Sequence, residues 1–260
     1  MTCIDRYRSD LVANTNRNLG IILNAVDEEA IHRFRVSVKR LTALYRFLGE
    51  VNPEIRARQL LRPLRRLSKD IARVRDCHIT LNLLTEIGYA DRSGGLRDAL
   101  HARIEIDYRH FAERSRDLGL ERVRLPTLGA LGFSEAGLLR AKPAVLESLR
   151  AQITPGDGGL DAEAWHRRRI LLKRYHHSLD AFQHCRGQRA DERDIAKMKM
   201  LEQLLGDWHD RVVAVEIIES LDPAVDDRSG LVAELNEQAH NLLASARIYL
   251  ARFVRGLPGE

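Results

Sequence analysis

The chain has 260 residues, enough for one large domain or two modest ones, and 44% of them are hydrophobic, which excludes a largely disordered chain. The N-terminal residues are polar and no apolar run is long enough to cross a bilayer, so we expect a cytoplasmic protein that does not bind membranes. The three cysteines, Cys3, Cys77 and Cys185, are odd in number and far apart, which argues against a disulfide framework or a cysteine-based zinc site.

Apolar residues recur at helical spacing along the whole chain, and turn signals divide it into eight predicted helices. Asp27 and Asp161 are predicted N-caps, and Pro53 suits a first helical turn. Pro63 should kink or split the third helix, because proline lacks the backbone N–H that a helix interior needs. No segment alternates as a strand does, so the sequence predicts an all-α protein. The helices are placed near residues 5–26, 28–50, 53–87, 94–118, 135–153, 161–186, 191–221 and 229–255.

The net charge of +5 is small, but the positive residues are concentrated in one segment. Between Arg33 and Arg75 there are 13 Lys or Arg residues and three acids, a sum of +10, so the remainder of the chain carries −5. Arginine outnumbers lysine by 36 to 6, and its planar guanidinium meets phosphate oxygens in pairs. Arginine-rich codon use would explain that ratio but not the clustering. The segment is therefore predicted to be a cationic patch that attracts polyanions.

An internal repeat relates the two halves of the chain. When the sequence is shifted by 134 residues, five of the nine residues of His32–Arg40 match those of His166–Arg174. The same shift, without a gap, aligns Leu67–Asp76 with Leu201–Asp210. One register that covers two separate motifs is hard to attribute to chance. Each half is therefore predicted to form a four-helix lobe, the first spanning residues 1–133 and the second 134–260.

The basic residues of these motifs form stripes on their helices, since each residue advances the helix by about 100°. Neighbouring like charges repel by a few tenths of a kcal/mol per pair, so facing acids or an anionic ligand must offset them. We expect the stripes to line a cationic groove for a ligand with many phosphates. The stripes comprise His32, Arg35, Lys39 and Arg46 on the second helix, Arg62, Arg65, Arg66, Lys69 and Arg73 on the third, and His166, Arg169, Lys173 and His177 on the sixth. The stripe of the third helix has a thinner counterpart in the second half, formed by Lys199, Gln203 and Asp210.

The paired motifs resemble those of the CHAD family, the conserved histidine α-helical domain. In this chain the motifs are His32–Leu41, Ile71–Asp76, His166–Tyr175 and Leu205–Asp210. The resemblance implies two four-helix lobes, related by a pseudo-twofold axis and packed around a basic central cavity. It also implies binding of inorganic polyphosphate and, as in some members, localisation to polyphosphate granules. Many members carry an attached triphosphate-tunnel domain, for which 260 residues leave no room, so we expect a stand-alone member.

Family roles can be transferred to individual residues of this chain, with some departures. Thr42 and His176 occupy positions where the family usually has a further arginine, and Ala72 and His78 replace a usual glycine and a frequent aspartate. Asp76 and Asp210 are interpreted as structural residues that orient an arginine of a facing helix. The expected polyphosphate-binding residues are His32, Arg35, Lys39, Arg40, Arg46, Arg66, Lys69, Arg73, Arg75, His166, Arg169, Lys173, Arg174, His177, Lys197, Lys199 and His209.

Other functions compete with polyphosphate binding. A cationic helical surface attracts nucleic acid as well, although no aromatic residues interleave the basic stripes for base stacking. A metal-dependent phosphohydrolase lacks support, because the sequence has no carboxylate cluster, no glycine-rich phosphate loop and no zinc-binding helix motif. A targeting scaffold is a third alternative. We therefore expect no catalytic residue, metal or cofactor, and the sequence leaves the oligomeric state open.

Overall fold

The computed structural model describes residues 2–89, 94–153, 161–183, 192–221 and 228–255, with the backbone alone for 192–197 and 252–255. No strand occurs in these ranges, which confirms the predicted all-α fold. The helices are α1 (Cys3–Ile22), α2 (Glu28–Val51), α3 (Ala57–Leu60), α4 (Arg62–Glu86), α5 (Gly94–Asp117), α6 (Glu135–Ile153), α7 (Ala162–Gln183), α8 (Glu192–Ser220) and α9 (Arg228–Arg255). A short 3-10 turn, Gly129–Leu131, precedes α6.

The predicted third helix is split near Pro63, as its sequence indicated. The short α3 ends at Leu60, and α4 begins at Arg62. Pro63 therefore lies in the first turn of α4, where its missing N–H has no helical partner to lose. The predicted start at Pro53 was too early, because Asn52 closes a turn there by accepting a hydrogen bond from the Glu54 backbone N–H at 3.0 Å.

Equivalent positions of the two halves make the same local contacts at the starts of α2 and α7. The Asp27 carboxylate accepts from the Ala30 backbone N–H at 2.7 Å, and the Asp161 carboxylate accepts from Ala164 at the same distance. Both predicted N-caps are confirmed, and they satisfy donors that a helix start leaves open. One turn later, Arg33 pairs with its own helix at 2.6 Å and Arg167 does so at 2.5 Å. The repeat is thus visible in side-chain contacts as well as in sequence.

The chain divides into two compact units, which we call the first and second unit. Each unit takes segments from both sequence halves, whereas the lobes expected from the repeat divide the chain after residue 133. In the first unit, α2 packs against α1, α6 and α7, and α7 is the repeat equivalent of α2. The first unit comprises Met1–Lys69 and Ala112–Asp194, and the second comprises Asp70–Phe111 and Ile195–Glu260.

The core of the first unit is built around the apolar face of α2. Phe34, Leu41, Tyr45 and Phe47 are almost completely buried, and each contributes about 1.5–3 kcal/mol of burial free energy. The Phe47 ring lies against Phe182 of α7 with 4.9 Å between ring centroids. Phe34, Leu41 and Tyr45 lie within about 40° of one another around α2, whereas the basic stripe lies on a different face of the helix.

The second unit has its own core on the later part of α4 and on α5, α8 and α9. Ile71, Val74 and Cys77 of α4 and Leu205 and Trp208 of α8 are buried. Burial is also the main reason why the pKa of the Cys77 thiol rises to about 11. Cys77 and Trp208 therefore act as packing residues.

The sequence argued against a disulfide framework, and the structure shows that Cys3 is nevertheless disulfide-bonded. An odd number of cysteines still permits one pair, and distance in sequence does not keep two residues apart in a folded chain.

Among the described residues, no helix combines the length and the apolar character needed to cross a lipid bilayer.

Candidate functional site

The basic stripe of α2 faces away from the buried side of that helix. His32 and Lys39 are exposed, whereas Arg35 and Arg46 are half-buried. The Arg35 guanidinium donates a hydrogen bond to the Ser68 backbone carbonyl at 3.1 Å. This contact holds the α2 stripe beside the first turns of α4, where the predicted residues Arg66 and Lys69 are exposed.

Helix α7 repeats the stripe and runs antiparallel to α2. Arg40 of α2 contacts Asp180, and Glu50, ten residues further along α2, contacts Arg174. The residue numbers thus increase along one helix as they decrease along the other. His166, Arg169 and Lys173 are half-buried on α7. The antiparallel packing places stripes from both sequence halves within one unit.

Predicted cations from both helices lie around His177 of α7. The pKa of His177 is lowered to about 3, first by burial and then by His176, Arg40, Lys173 and Lys39. Each of these charges must be close enough to oppose protonation of the imidazole. His177 is therefore neutral near pH 7 and adds no positive charge of its own, in contrast to the cationic role expected from its position in the stripe.

A cavity of about 380 Å³ opens beside the N-terminal part of α2. Two predicted site residues line it, His32 and Arg40, and α1 contributes Arg17, which the sequence analysis did not single out. The Arg17 guanidinium donates to the Asn14 side chain at 3.4 Å. The lining of this cavity also includes Asn14, Asn18, Glu29, Arg33, Val36 and Ser37.

Arg40 is paired with an acid in this structure. Its Nε atom lies 3.4 Å from the Asp180 carboxylate. The Tyr7 hydroxyl also donates to that carboxylate at 3.4 Å. The pKa of Tyr7 is raised by burial and then by the negative charge of Asp180. Asp180 thus offsets part of the positive charge at the end of the α2–α7 contact where Arg40 lies.

A second cavity, of about 540 Å³, lies at the opposite end of the α2–α7 contact. It is lined by Arg46, Arg56, Arg58 and Arg174, and by one acid, Glu50, together with Gly49, Ile55, Ala57 and Gln59. Glu50 forms an ion pair with Arg174. We call this the Arg46–Arg174 cavity. Its four guanidinium groups and one carboxylate sum to +3.

The arginines of this cavity destabilise one another. Burial lowers the pKa of Arg46, and the charges of Arg65 and Arg58 lower it further. Burial likewise lowers the pKa of Arg174, and Arg46 adds to the effect. Both guanidinium groups remain protonated, since arginine does not lose its proton in proteins. An anion that enters the cavity would relieve this repulsion.

The remaining predicted residues lie in the second unit, where acids accompany the cations. Arg73 lies 3.9 Å from the buried Asp107, which also pairs with Arg103 at 2.9 Å.

A cavity of about 430 Å³ in the second unit is lined by the predicted residues Arg75 and Asp210. Arg211, Glu86 and Asp207 also line it, so the acids in the lining outnumber the cations. Lys199 is exposed, His209 and Asp76 are half-buried, and the side chain of Lys197 lies outside the described residues. The His209 ring lies 6.3 Å from the ring of Trp208.

No group of three or more His, Cys, Asp or Glu side chains that could hold a metal ion occurs in the part of the chain that the structure describes.

Sequence reasoning missed residues that decide the electrostatics of the first unit. Asp180 and Glu50 were not considered as partners, and Arg56 and Arg58 were not among the predicted binding residues. A signal for Asp180 was present, because the shift of 134 residues that defines the repeat aligns it with Arg46. If the alignment is extended beyond His166–Arg174, an acid stands at the position that aligns with a stripe arginine.

The fold and site define an all-helical protein with a duplicated basic motif on two packed helices. A CHAD domain model matches residues 4–219, and the chain belongs to the CHAD family. None of the curated proteins matches the chain.

Two solved structures share the fold. The CHAD domain from the plant Ricinus communis has a TM-score of 0.58 at 18% identity, and the alignment covers 98% of this chain and 91% of that one. PptA from Streptomyces chartreusis also has a TM-score of 0.58, at 15% identity, with 97% and 98% coverage. At these identities the similarity concerns the fold.

Proposed function

We propose that the chain binds inorganic polyphosphate along α2 and α7 of the first unit. The observation that carries this proposal is the packing of α2 on α7, which brings Lys39, Arg40 and Lys173 into one unit. Two of these cations come from one sequence half and one comes from the other. A linear ligand with a charge on every unit can contact both helices at once.

The chemistry of the stripes suits phosphate. Arg35, Arg46 and Arg169 are half-buried, and hydrogen bonds from a partly desolvated guanidinium to an oxyanion are stronger than neutral ones. Arginine offers paired donors that match two oxygens of one phosphate. Because the side chains emerge from packed helices, little conformational entropy is lost when the ligand binds.

Nucleic acid is the main alternative, and the exposed surface gives little support for base recognition. In the described ranges the large exposed hydrophobic residues are Ile21, Val26, Ile106, Ile170, Met200 and Ile248, and none of these is aromatic. Proteins that bind single strands without sequence preference stack bases on aromatic side chains. A ligand that consists of phosphates alone does not need such platforms.

The proposal describes binding without turnover. Incubation of the protein with polyphosphate, with and without magnesium or manganese, should release no orthophosphate. Steady release that scales with protein concentration and survives further purification would support a hydrolase instead. Binding without turnover would also recruit the protein to polyphosphate granules, which a fluorescent fusion can show in cells with and without polyphosphate.

The decisive test is a titration of the purified protein with long-chain polyphosphate, DNA and RNA at matched salt and matched phosphate concentration. We expect polyphosphate to bind most tightly. Equal affinity for all three ligands would mean that the stripes attract any polyanion, and tighter binding of DNA or RNA would overturn the proposal.

A further inference from the structure

The Arg46–Arg174 cavity differs from the rest of the basic surface because four arginines line one open cavity. Two of them, Arg46 and Arg174, come from the packed helices, whereas Arg56 and Arg58 come from the turn after α2 and from α3. The turn and α3 belong to the first sequence half, whereas α7 belongs to the second. The cavity therefore combines residues of α2, the following turn and α3 from the first sequence half with Arg174 of α7 from the second.

The turn that carries Arg56 is held in place by hydrogen bonds. The Ile55 backbone N–H donates to the Asn52 carbonyl at 3.1 Å, and Leu60 donates to the Arg56 carbonyl at the same distance. A Cβ atom at Gly49 would lie 3.3 Å from the Ile55 carbonyl oxygen. The turn thus packs closely on α2, so the backbone that carries Arg56 and Arg58 is fixed before any ligand arrives.

The charge of the cavity favours a phosphate with more than one negative charge. The lining sums to +3, and its single carboxylate is already paired with Arg174. An internal phosphate of a linear polyphosphate carries one ionisable oxygen. A terminal phosphate carries two, and such groups hold a charge of about −1.5 to −2 at pH 7. Several guanidinium groups around one space match the terminal group best.

We propose that the Arg46–Arg174 cavity binds a terminal phosphate group, either the end of a polyphosphate chain or a phosphomonoester. This inference deepens the proposed function, since it assigns the chain end to one place in the first unit. The stripes then hold the internal phosphates.

The test compares two probes of similar total charge, linear tetraphosphate and cyclic hexametaphosphate, because only the linear probe has terminal groups. Calorimetric titration of the full chain should show at least about tenfold tighter binding of the linear probe, the size expected for one lost charge-assisted contact. The double variant Arg56→Ala/Arg58→Ala should lose this preference. Both arginines are exposed, so the variant should keep the wild-type melting temperature.

Arg140→Ala is the matched control, because it removes an exposed arginine from α6 that lies outside the cavity. It should leave the preference unchanged. Titration with adenosine monophosphate (AMP) distinguishes the two ligands that could supply the terminal phosphate, a polyphosphate chain end and a phosphomonoester. Binding of tetraphosphate without AMP assigns the site to chain ends, and comparable binding of both assigns it to phosphomonoesters generally.

Equal affinity for the linear and cyclic probes, or an unchanged preference in the double variant, would overturn the assignment. Neither result depends on the proposed function. If long-chain polyphosphate fails to bind while tetraphosphate still requires Arg56 and Arg58, the proposed function fails and the terminal-phosphate site stands.

Discussion

The two ends of the α2–α7 contact carry residues that the repeat makes equivalent, yet their charges are arranged differently. At one end Arg40 is paired with Asp180. The shift of 134 residues converts this pair into Arg174 and Arg46, which repel each other at the other end. One difference between the halves, an aspartate in place of an arginine, thus gives one end an acid partner for Arg40 and the other end a further arginine.

This difference shows what a duplicated sequence preserves. The N-caps at Asp27 and Asp161 and the helical ion pairs of Arg33 and Arg167 recur with nearly the same distances. These contacts are local to each helix, so they follow from each half alone. The ends of the α2–α7 contact combine residues from both halves, and there a single substitution changes the charge without changing the frame.

Removing Asp180 should have the largest effect on stability. Asp180→Ala deletes the partner of Arg40 and the acceptor of the Tyr7 hydroxyl, so the free energy of unfolding should fall by about 1–3 kcal/mol. Glu50→Ala at the other end should cost less than about 1 kcal/mol, because that carboxylate is more exposed. Urea denaturation measures both, and equal losses would contradict the contrast between the two ends.

The pH dependence of stability should reveal the burial of His177 beside the cations of the Arg40 end. His177 has a pKa of about 3 in the folded protein and an ordinary value of 6.5. Between these values the unfolded chain binds a proton that the folded chain does not, so stability falls as the pH is lowered from 6.5 towards 3. One such proton contributes about 1.4 kcal/mol per pH unit.

His177→Gln should therefore flatten the decline of unfolding free energy between pH 6 and 4 by roughly one proton equivalent. Urea denaturation at several pH values measures the slopes of the wild type and the variant. Identical slopes would show that carboxylates alone cause the decline.

Replacing Arg46 should have a smaller effect, with the opposite sign. Arg46→Met keeps a long, helix-compatible side chain and removes a charge that Arg58, Arg65 and Arg174 repel. The free energy of unfolding should rise by a few tenths of a kcal/mol at low salt, and the gain should shrink at high salt because the charges are screened.

Arg167→Met is the matched control for that substitution. It removes an exposed arginine that is paired with Glu163, so it should lower stability by about 0.3–0.5 kcal/mol. Thermal unfolding at two salt concentrations distinguishes the variants. A loss of stability in Arg46→Met at low salt would show that the cavity arginines do not strain the fold.

The sequence predicted features that depend on neighbouring residues. The all-α fold, the caps at Asp27 and Asp161 and the break near Pro63 follow from helical periodicity, capping chemistry and the missing N–H of proline. The family was predicted from the paired motifs, because their spacing and repetition agree. The caps, the break and each single motif lie within a few helical turns of chain, and the repetition follows from comparing the two halves.

The sequence did not predict features that depend on which helices pack against each other. Periodicity identifies the apolar face of α2 but does not say that α7 packs on it. The pairing of Arg40 with Asp180 joins residues 140 positions apart, and the disulfide at Cys3 likewise depends on tertiary structure. The distribution of acids follows from packing too, which is why Arg73 was expected to be a ligand contact although it lies beside Asp107.

The most direct test of polyphosphate binding by the stripes is the salt dependence of the affinity in stripe variants. With three or four cations from each half in contact, the log–log slope should be about −4 to −6, using the coefficient known for nucleic acids. Arg35→Ala and Arg169→Ala should each flatten the slope by about one unit and weaken binding by roughly 1–3 kcal/mol. Arg140→Ala, on the exposed surface of α6, should change neither quantity. If all three substitutions weaken binding equally, diffuse surface charge is the receptor and the account of an organised site on α2 and α7 is wrong.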